Sequence, residues 1–298
     1  MTSNEIAVLA NPSAGRGRHR DLLPRVLRTL SSAGQVRVLE AHSGASAEQA
    51  CHAAVRAGAA ALVAVGGDGT VHRALQAVAG ASTAFGVVPA GTGNDFAAGT
   101  GVPPDVFDAA TAIAAALRDG RDIRVDLARM ELAGGEVRWF GAVLAGGFDA
   151  LVNERANRMA WPRGPRRYDL AILLELARLR PRVYELEIDG ADHGFTGMLV
   201  AVGNCESYGG GMRILPGADP CDGLLDVVVA VPFGRLALAR LKPRLNRGTH
   251  ITDRRVRTFR ASHVRLRSED IIGYADGERV GPLKLDITCV PGAVRLLR

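Results

Sequence analysis

Short apolar runs at residues 6–10, 36–39, 60–65 and 84–88 alternate with helix-like stretches at 21–31, 47–57 and 70–79. Within the last stretch Val71, Ala74, Leu75 and Val78 follow the i, i+3, i+4, i+7 spacing of one helix face. Strand–helix alternation of this kind predicts a parallel sheet covered by helices. An Ala-rich stretch at 106–117 reads as the last helix of this part.

After Arg121 the pattern changes. Runs at 125–132, 137–144, 183–188, 198–202 and 225–231 are strand-like and are separated by Gly, Asp and Pro turns. This predicts a mostly antiparallel β domain, interrupted by one helix over 168–179. The expected boundaries are 1–124 for an α/β domain and 125–298 for the β domain.

The chain of 298 residues is 47% hydrophobic, ample for two cores. Its formal charge is +6, carried almost entirely by arginine. Aromatic residues make up only 5%, too few for base-stacking platforms, so nucleic acid is not an expected partner. The four cysteines form no CxxC pair and read as reduced thiols. No apolar run reaches the ~18 residues of a membrane span, and Asn4 and Glu5 do not begin a signal peptide. A cytoplasmic protein is expected.

Three glycine-rich turns fall where strands end and helices begin: Asn11-Pro12-Ser13-Ala14-Gly15-Arg16-Gly17, Gly66-Gly67-Asp68-Gly69-Thr70, and Gly91-Thr92-Gly93-Asn94-Asp95. Glycine lets the backbone approach a phosphate closely, and the N–H groups there form an anion nest at a helix N-terminus. There is no Walker A sequence and no GxGxxG after the first strand, so a P-loop NTPase and a Rossmann dehydrogenase are disfavoured. Asp68 and Asp95 lie inside loops suited to phosphate. A carboxylate beside a phosphate is repulsive unless a cation bridges them, which points to a bound metal.

At these residues the chain resembles the diacylglycerol-kinase catalytic family. GGDGT at 66–70 and PAGTGNDFA at 89–97 carry the resemblance. Tyr208-Gly209-Gly210-Gly211-Met212, Asp222-Gly223-Leu224-Leu225-Asp226 and Asp276-Gly277-Glu278 extend it through the second half. Two departures stand out: His72-Arg73 where the family often has Asn-Glu, and Ala97-Ala98-Gly99-Thr100 after the second motif.

The resemblance implies a three-layer α/β nucleotide-binding domain followed by a β-sandwich domain, with the active site in the cleft between them. The extreme C-terminus is expected to return to the first domain. The implied reaction is ATP-dependent transfer of the γ-phosphate to a lipid hydroxyl, most simply diacylglycerol to phosphatidic acid. Asn11, Pro12, Ser13, Ala14, Gly15, Gly66, Gly67, Asp68, Gly69, Thr70, Gly91, Thr92, Gly93 and Asn94 would bind the nucleotide. Asp68, Asp95 and Asp126 match acidic positions of a magnesium network. Asp219, Asp222 and Leu224 match a structural cation site. Glu278, with Asp276 beside it, would deprotonate the acceptor; the two side chains point the same way if this segment is extended.

Two basic stretches bear on the membrane. One holds Arg155, Arg158, Arg163, Arg166, Arg167, Arg178, Arg180 and Arg182; the other runs from Arg235 to Arg267 with Asp253 its counter-charge. They fit peripheral association with the anionic inner membrane face, and the 168–179 helix could border a lipid site. The partners expected are ATP, a lipid at the membrane surface and, as an option, a second copy in a homodimer. Other acceptors (a sphingoid base, another glycerolipid, NAD) and a non-catalytic nucleotide sensor stay open.

Overall fold

The computed structural model describes residues 4–10, 19–159, 161, 166–178, 180–232, 234, 237 and 243–298. The chain divides into two compact units. The first comprises residues 1–127, 220–223 and 290–298; the second comprises 128–219 and 224–289.

In the first unit β1 (Glu5–Ala10), α1 (His19–Leu30), β2 (Gln35–Val38), α2 (Gly44–Arg56), β3 (Ala61–Gly66), α3 (Asp68–Val78) and β4 (Ala84–Pro89) alternate, followed by α4 (Asp95–Gly99) and α5 (Val106–Asp119). The strands are parallel in the order β4-β3-β1-β2. Side chains alternate across the sheet because the strand repeat is two. Ile6, Val8, Ala61, Val63 and Val65 pack with Val26 and Leu30 of α1 and Ile113 of α5. α2 and α3 pack on one another and on the sheet. The result is a three-layer α/β domain.

Helix ends follow local chemistry. Ser43 caps α2, and Ser43 and Ser46 form a reciprocal capping box. The Asp105 side chain accepts from the N–H groups of Phe107 and Asp108 at 2.8 and 3.1 Å, starting α5. Gly120, with φ of 64°, stops it.

The second unit takes in most of β5 (Ile123–Leu132), then β6 (Val137–Phe140), β7 (Val143–Gly147), α6 (Phe148–Arg158), α7 (Arg166–Ala177), β8 (Arg182–Ile188), β9 (Ala191–Asp192), β10 (Phe195–Gly197), β11 (Leu199–Gly203), β12 (Leu225–Ala230), β13 (Val256–Ala261), β14 (His263–Ala275) and the start of β15 (Glu278–Leu297). Antiparallel pairs run in the order β13-β12-β11-β7-β14-β15, with β8 also on β14. They form a β-sandwich around Phe140, Leu144, Tyr184, Val200, Val227, Leu266 and Leu283. Along β15, Leu283, Leu285, Ile287 and Cys289 are buried while Pro282 and Lys284 are exposed, a period-two alternation.

Two features depart from the sequence reading. The run at 137–144 is two strands, because Asp276 takes the N–H groups of Gly141 and Ala142 and interrupts the ladder. α6 was not expected: it buries only the short residues Ala150, Val152 and Ala156, a weak apolar stripe. β15 leaves the second unit at Cys289, and its last residues pair in parallel with β4, Leu296 opposite Phe85. There Arg295 pairs with Asp122 at 2.6 Å and Arg298 donates to the Thr100 carbonyl at 2.7 Å.

Candidate active site

Two of the three glycine turns lie among the described residues; the one at 11–17, with Asn11, Pro12, Ser13, Ala14 and Gly15, lies outside them. β3 ends at Gly66 and α3 begins at Asp68, so the Asp68 side chain sits at a helix N-terminus. Its Oδ2 accepts the Asn94 N–H at 2.8 Å and its Oδ1 accepts the Asp95 N–H at 2.7 Å. One carboxylate therefore joins GGDGT to GTGND.

The second loop is shaped by Asn94, which adopts a left-handed φ of 59°. Its amide oxygen accepts the Gly91 N–H at 2.9 Å, and its amide nitrogen donates to the Gly91 carbonyl at 3.2 Å. Asn tolerates this conformation better than most residues. The loops touch backbone to backbone: a Cβ on Gly67 would meet the Gly91 Cα at 3.0 Å. Gly69, Thr92 and Gly93 keep surface exposed, while Thr70 is buried under the α3 N-terminus.

Gly93 also leaves space that two acids border. A Cβ there would clash with Asp68 Oδ2 and meet Asp95 Oδ2 at 3.4 Å. Asp95 is buried at 6% exposure. Two carboxylates thus border one small gap, and carboxylate oxygens are the ligand type that a hard divalent cation takes.

Asp126 does something more specific than the sequence indicated. It is buried, and its Oδ2 accepts the Gly223 N–H while its Oδ1 accepts the Gly292 N–H, both at 2.7 Å. Its own N–H donates to the Pro220 carbonyl at 2.8 Å. Asp126 thus holds the 220–223 turn, with exposed Asp222, to the first unit. Asp219 and Leu224 flank that turn and belong to the second unit. Among the described residues no three His, Cys, Asp or Glu side chains are grouped as a metal site.

In the second unit Asp276 and Gly277 have φ of 50° and 81° and join β14 to β15, with Ala275 opposite Glu278. This is a two-residue hairpin of the Asp-Gly kind. The segment is not extended, so the expectation that Asp276 and Glu278 project together fails. Asp276 Oδ1 accepts the Ala142 N–H at 2.8 Å and Oδ2 accepts the Gly141 N–H at 3.1 Å. Glu278 is half-buried at the head of β15. Its neighbour Arg279 donates to Glu154 Oε2 at 3.1 Å, which also accepts the Tyr274 hydroxyl at 2.7 Å. Tyr274 first, then Arg279 and Arg158, hold the Glu154 carboxyl below its ordinary range.

Asp149 escaped the sequence reading. It opens α6 just after Gly147, whose φ is 139°. Its Oδ1 accepts the Ala150 N–H at 2.9 Å, whereas Oδ2 is sealed from solvent with no hydrogen-bond partner among the described residues. Burial pushes its pKa up to about 6, against the weaker downward pull of the Ala150 N–H and Tyr208. An Asp in the first turn after a strand ending in Gly146-Gly147 was the available signal.

Comparison with known proteins defines the class. The diacylglycerol kinase catalytic domain matches residues 5–130, and the YegS C-terminal NAD kinase β-sandwich-like domain matches residues 141–298. The chain belongs to this family of kinases. More particularly, it is 42% identical over 298 residues to the diacylglycerol kinase of two strains of Mycobacterium tuberculosis, covering 99% of this chain and 95% of theirs. It is 28% identical to the diacylglycerol kinase of Bacillus subtilis, covering 93% of this chain and 90% of that one. A diacylglycerol kinase crystal structure from Bacillus anthracis shares the fold at a TM-score of 0.72 and 20% identity, covering 100% of this chain and 97% of that one.

Proposed function

We propose that this kinase transfers the γ-phosphate of ATP to a lipid hydroxyl, with diacylglycerol the acceptor and phosphatidic acid the product. The observation that carries this reading is the Asp68 carboxylate, which joins two glycine loops at a helix N-terminus. The relatives named diacylglycerol kinase support that choice of acceptor.

Phosphoryl transfer depends on positioning and on neutralising phosphate charge. The 66–70 and 91–94 loops hold the phosphates, joined by the 11–15 turn. Asp68, Asp95 and, through water, Asp126 would hold magnesium, and the bound cation would supply charge neutralisation for the phosphates. Glu278 takes the proton from the acceptor hydroxyl. Asp276 keeps the hairpin that presents Glu278 in place. Asp219, Asp222 and Leu224 would hold a second cation, which would stiffen their turn.

No helix among the described residues is long and apolar enough to cross a membrane. Leu173 and Trp161 are 63% and 78% exposed, and these side chains support peripheral contact with a bilayer. The test is a radiolabelled-ATP assay in mixed micelles against diacylglycerol, sphingosine and NAD. Labelled phosphatidic acid is expected. Transfer to NAD with none to any lipid would overturn the reading.

A further inference from the structure

The tip of the β14–β15 hairpin, which carries Glu278, is set apart from the rest of its ladder. Gly273 lies opposite Gly281 but Tyr274 lies opposite Arg279, so Val280 is an extra residue on β15, and Gly281 takes a φ of 125° there. A bulge of this kind breaks the regular pairing and re-aims the side chains beyond it. The ladder therefore does not fix the direction of residues 274–279 by itself. Asp276 holds the tip to Gly141 and Ala142. A second hold comes from α6. There a single oxygen of Glu154 accepts the Tyr274 hydroxyl of β14 at 2.7 Å and the Arg279 Nε of β15 at 3.1 Å.

Opposite residues of an antiparallel pair share a face, and successive residues alternate. Tyr274 and Arg279 thus share the face toward α6, and Ala275 and Glu278 share the other. Clamping the first pair fixes where the second is aimed. Tyr274 is 2% exposed and the Glu154 side chain 17%. Both bonds are largely shielded from water, and an ionised acceptor strengthens each. Arg158 engages the other Glu154 oxygen, and Asn157 hydrogen-bonds the Tyr274 hydroxyl, so α6 commits three side chains to this junction. Glu154, Tyr274 and Arg279 all belong to the second unit, whereas the glycine loops belong to the first.

We propose that Glu154 is a positioning residue of this kinase: it clamps both strands of the hairpin and so sets the aim of Glu278 at the acceptor hydroxyl. This role rests on the reading of Glu278 as the base. The full chain is assayed with ATP and diacylglycerol in mixed micelles as Glu154→Ala, Tyr274→Phe, Glu278→Gln and the double variant Glu154→Ala/Glu278→Gln. Glu154→Ala and Tyr274→Phe are expected to lower kcat ~10–100-fold, the cost of a misplaced reacting group. KM for both substrates should stay within about twofold, which a substrate-binding role would not allow. In the double variant the Glu154 change is expected to add no further loss, because a residue that acts through Glu278 has nothing left to act on. Glu187→Gln, which breaks an exposed ion pair with Arg265 elsewhere on β14, is the control and should keep the parental rate. Multiplied losses in the double variant, or a parental kcat for Glu154→Ala beside a slow Glu278→Gln, would overturn the positioning role alone. A parental kcat for Glu278→Gln would overturn the reading of the base, and the positioning role with it. Hydrogen–deuterium exchange reads the clamp without turnover. Amides 274–280 are expected to exchange ~10-fold faster in Glu154→Ala and Tyr274→Phe, with those of β3 unchanged. Parental exchange at the hairpin would refute the clamp. Should Glu154→Ala fail to fold, Tyr274→Phe, which removes one hydroxyl, decides the same question.

Discussion

The Asp68 carboxylate accepts the main-chain N–H of Asp95 at 2.7 Å, across 27 residues of sequence. Through this contact and its partner at Asn94, the end of one strand dictates the shape of the loop after the next. The two acids also border the gap left by Gly93, so one relationship organises both the candidate phosphate loops and the candidate metal donors.

Replacing Asp68 by Asn leaves one acceptor oxygen where two N–H groups need partners. Nucleotide affinity is expected to fall at least tenfold, and stability by about 1–3 kcal/mol, the cost of an unmet buried hydrogen bond. Calorimetric titration with ATP and a thermal melt check both. Unchanged affinity would remove Asp68 from the nucleotide site.

Gly91→Ala tests the backbone contact between the loops. The new methyl would collide with the Gly67 backbone and lie 2.8 Å from the Asn94 amide oxygen. Loss of ATP binding is expected, with the second unit's folding intact by near-ultraviolet circular dichroism. Gly58→Ala, where nothing lies within 4 Å but φ is 81°, controls for strain alone.

Glu278→Gln and Asp276→Asn should separate. The first is expected to lower kcat ~10²–10⁴-fold with nucleotide Kd nearly unchanged, as loss of a general base does. The second is expected chiefly to lower the melting temperature, because its carboxylate holds Gly141 and Ala142. If Asp276→Asn proves the slower enzyme at equal stability, the two roles are exchanged.

Asp149 gives a pH signature. Its folded pKa of about 6 exceeds the ordinary 3.8, so the folded state binds the proton more tightly. The stability that protonation confers is full below about pH 4 and is lost as pH rises through about 6, a span worth ~3 kcal/mol. Asp149→Asn, which carries no charge, should therefore be more stable than the parent at pH 7–8, with the advantage shrinking below pH 5. Urea midpoints across pH 4.5–8 measure it; a constant difference would mean that Asp149 does not titrate in this window.

Chelation tests the turn that Asp126 holds. If a cation binds at Asp222, chelator should lower the melting temperature of the parent and do so much less for Asp222→Ala. Equal shifts in the two proteins would exclude a cation there.

The α/β layering was legible because parallel strands and their helices announce themselves locally: apolar runs, period-3.6 stripes and glycine turns all lie within short windows. The same local signals marked GGDGT and GTGND as loops at strand ends. Residues 276–278 were recognisable as a motif, yet their turn geometry was not, since whether Asp-Gly extends or reverses depends on the strands it joins. α6 and the charged strands of the last fifty residues were missed for a related reason. Their burial comes from partners far along the chain, and their own patterns are diluted by arginine.

Sequence alone therefore determined which residues could form a phosphate loop, because glycine and a helix start carry their chemistry with them. Tertiary structure alone decided what each acid does: Asp68 latches a distant loop, Asp126 clamps residues 223 and 292, and Asp276 serves 141 and 142. It also decided which arginines are paired. Those choices rest on contacts between residues tens to more than a hundred positions apart, and a carboxylate's role is set by the N–H groups and charges that the fold brings to it.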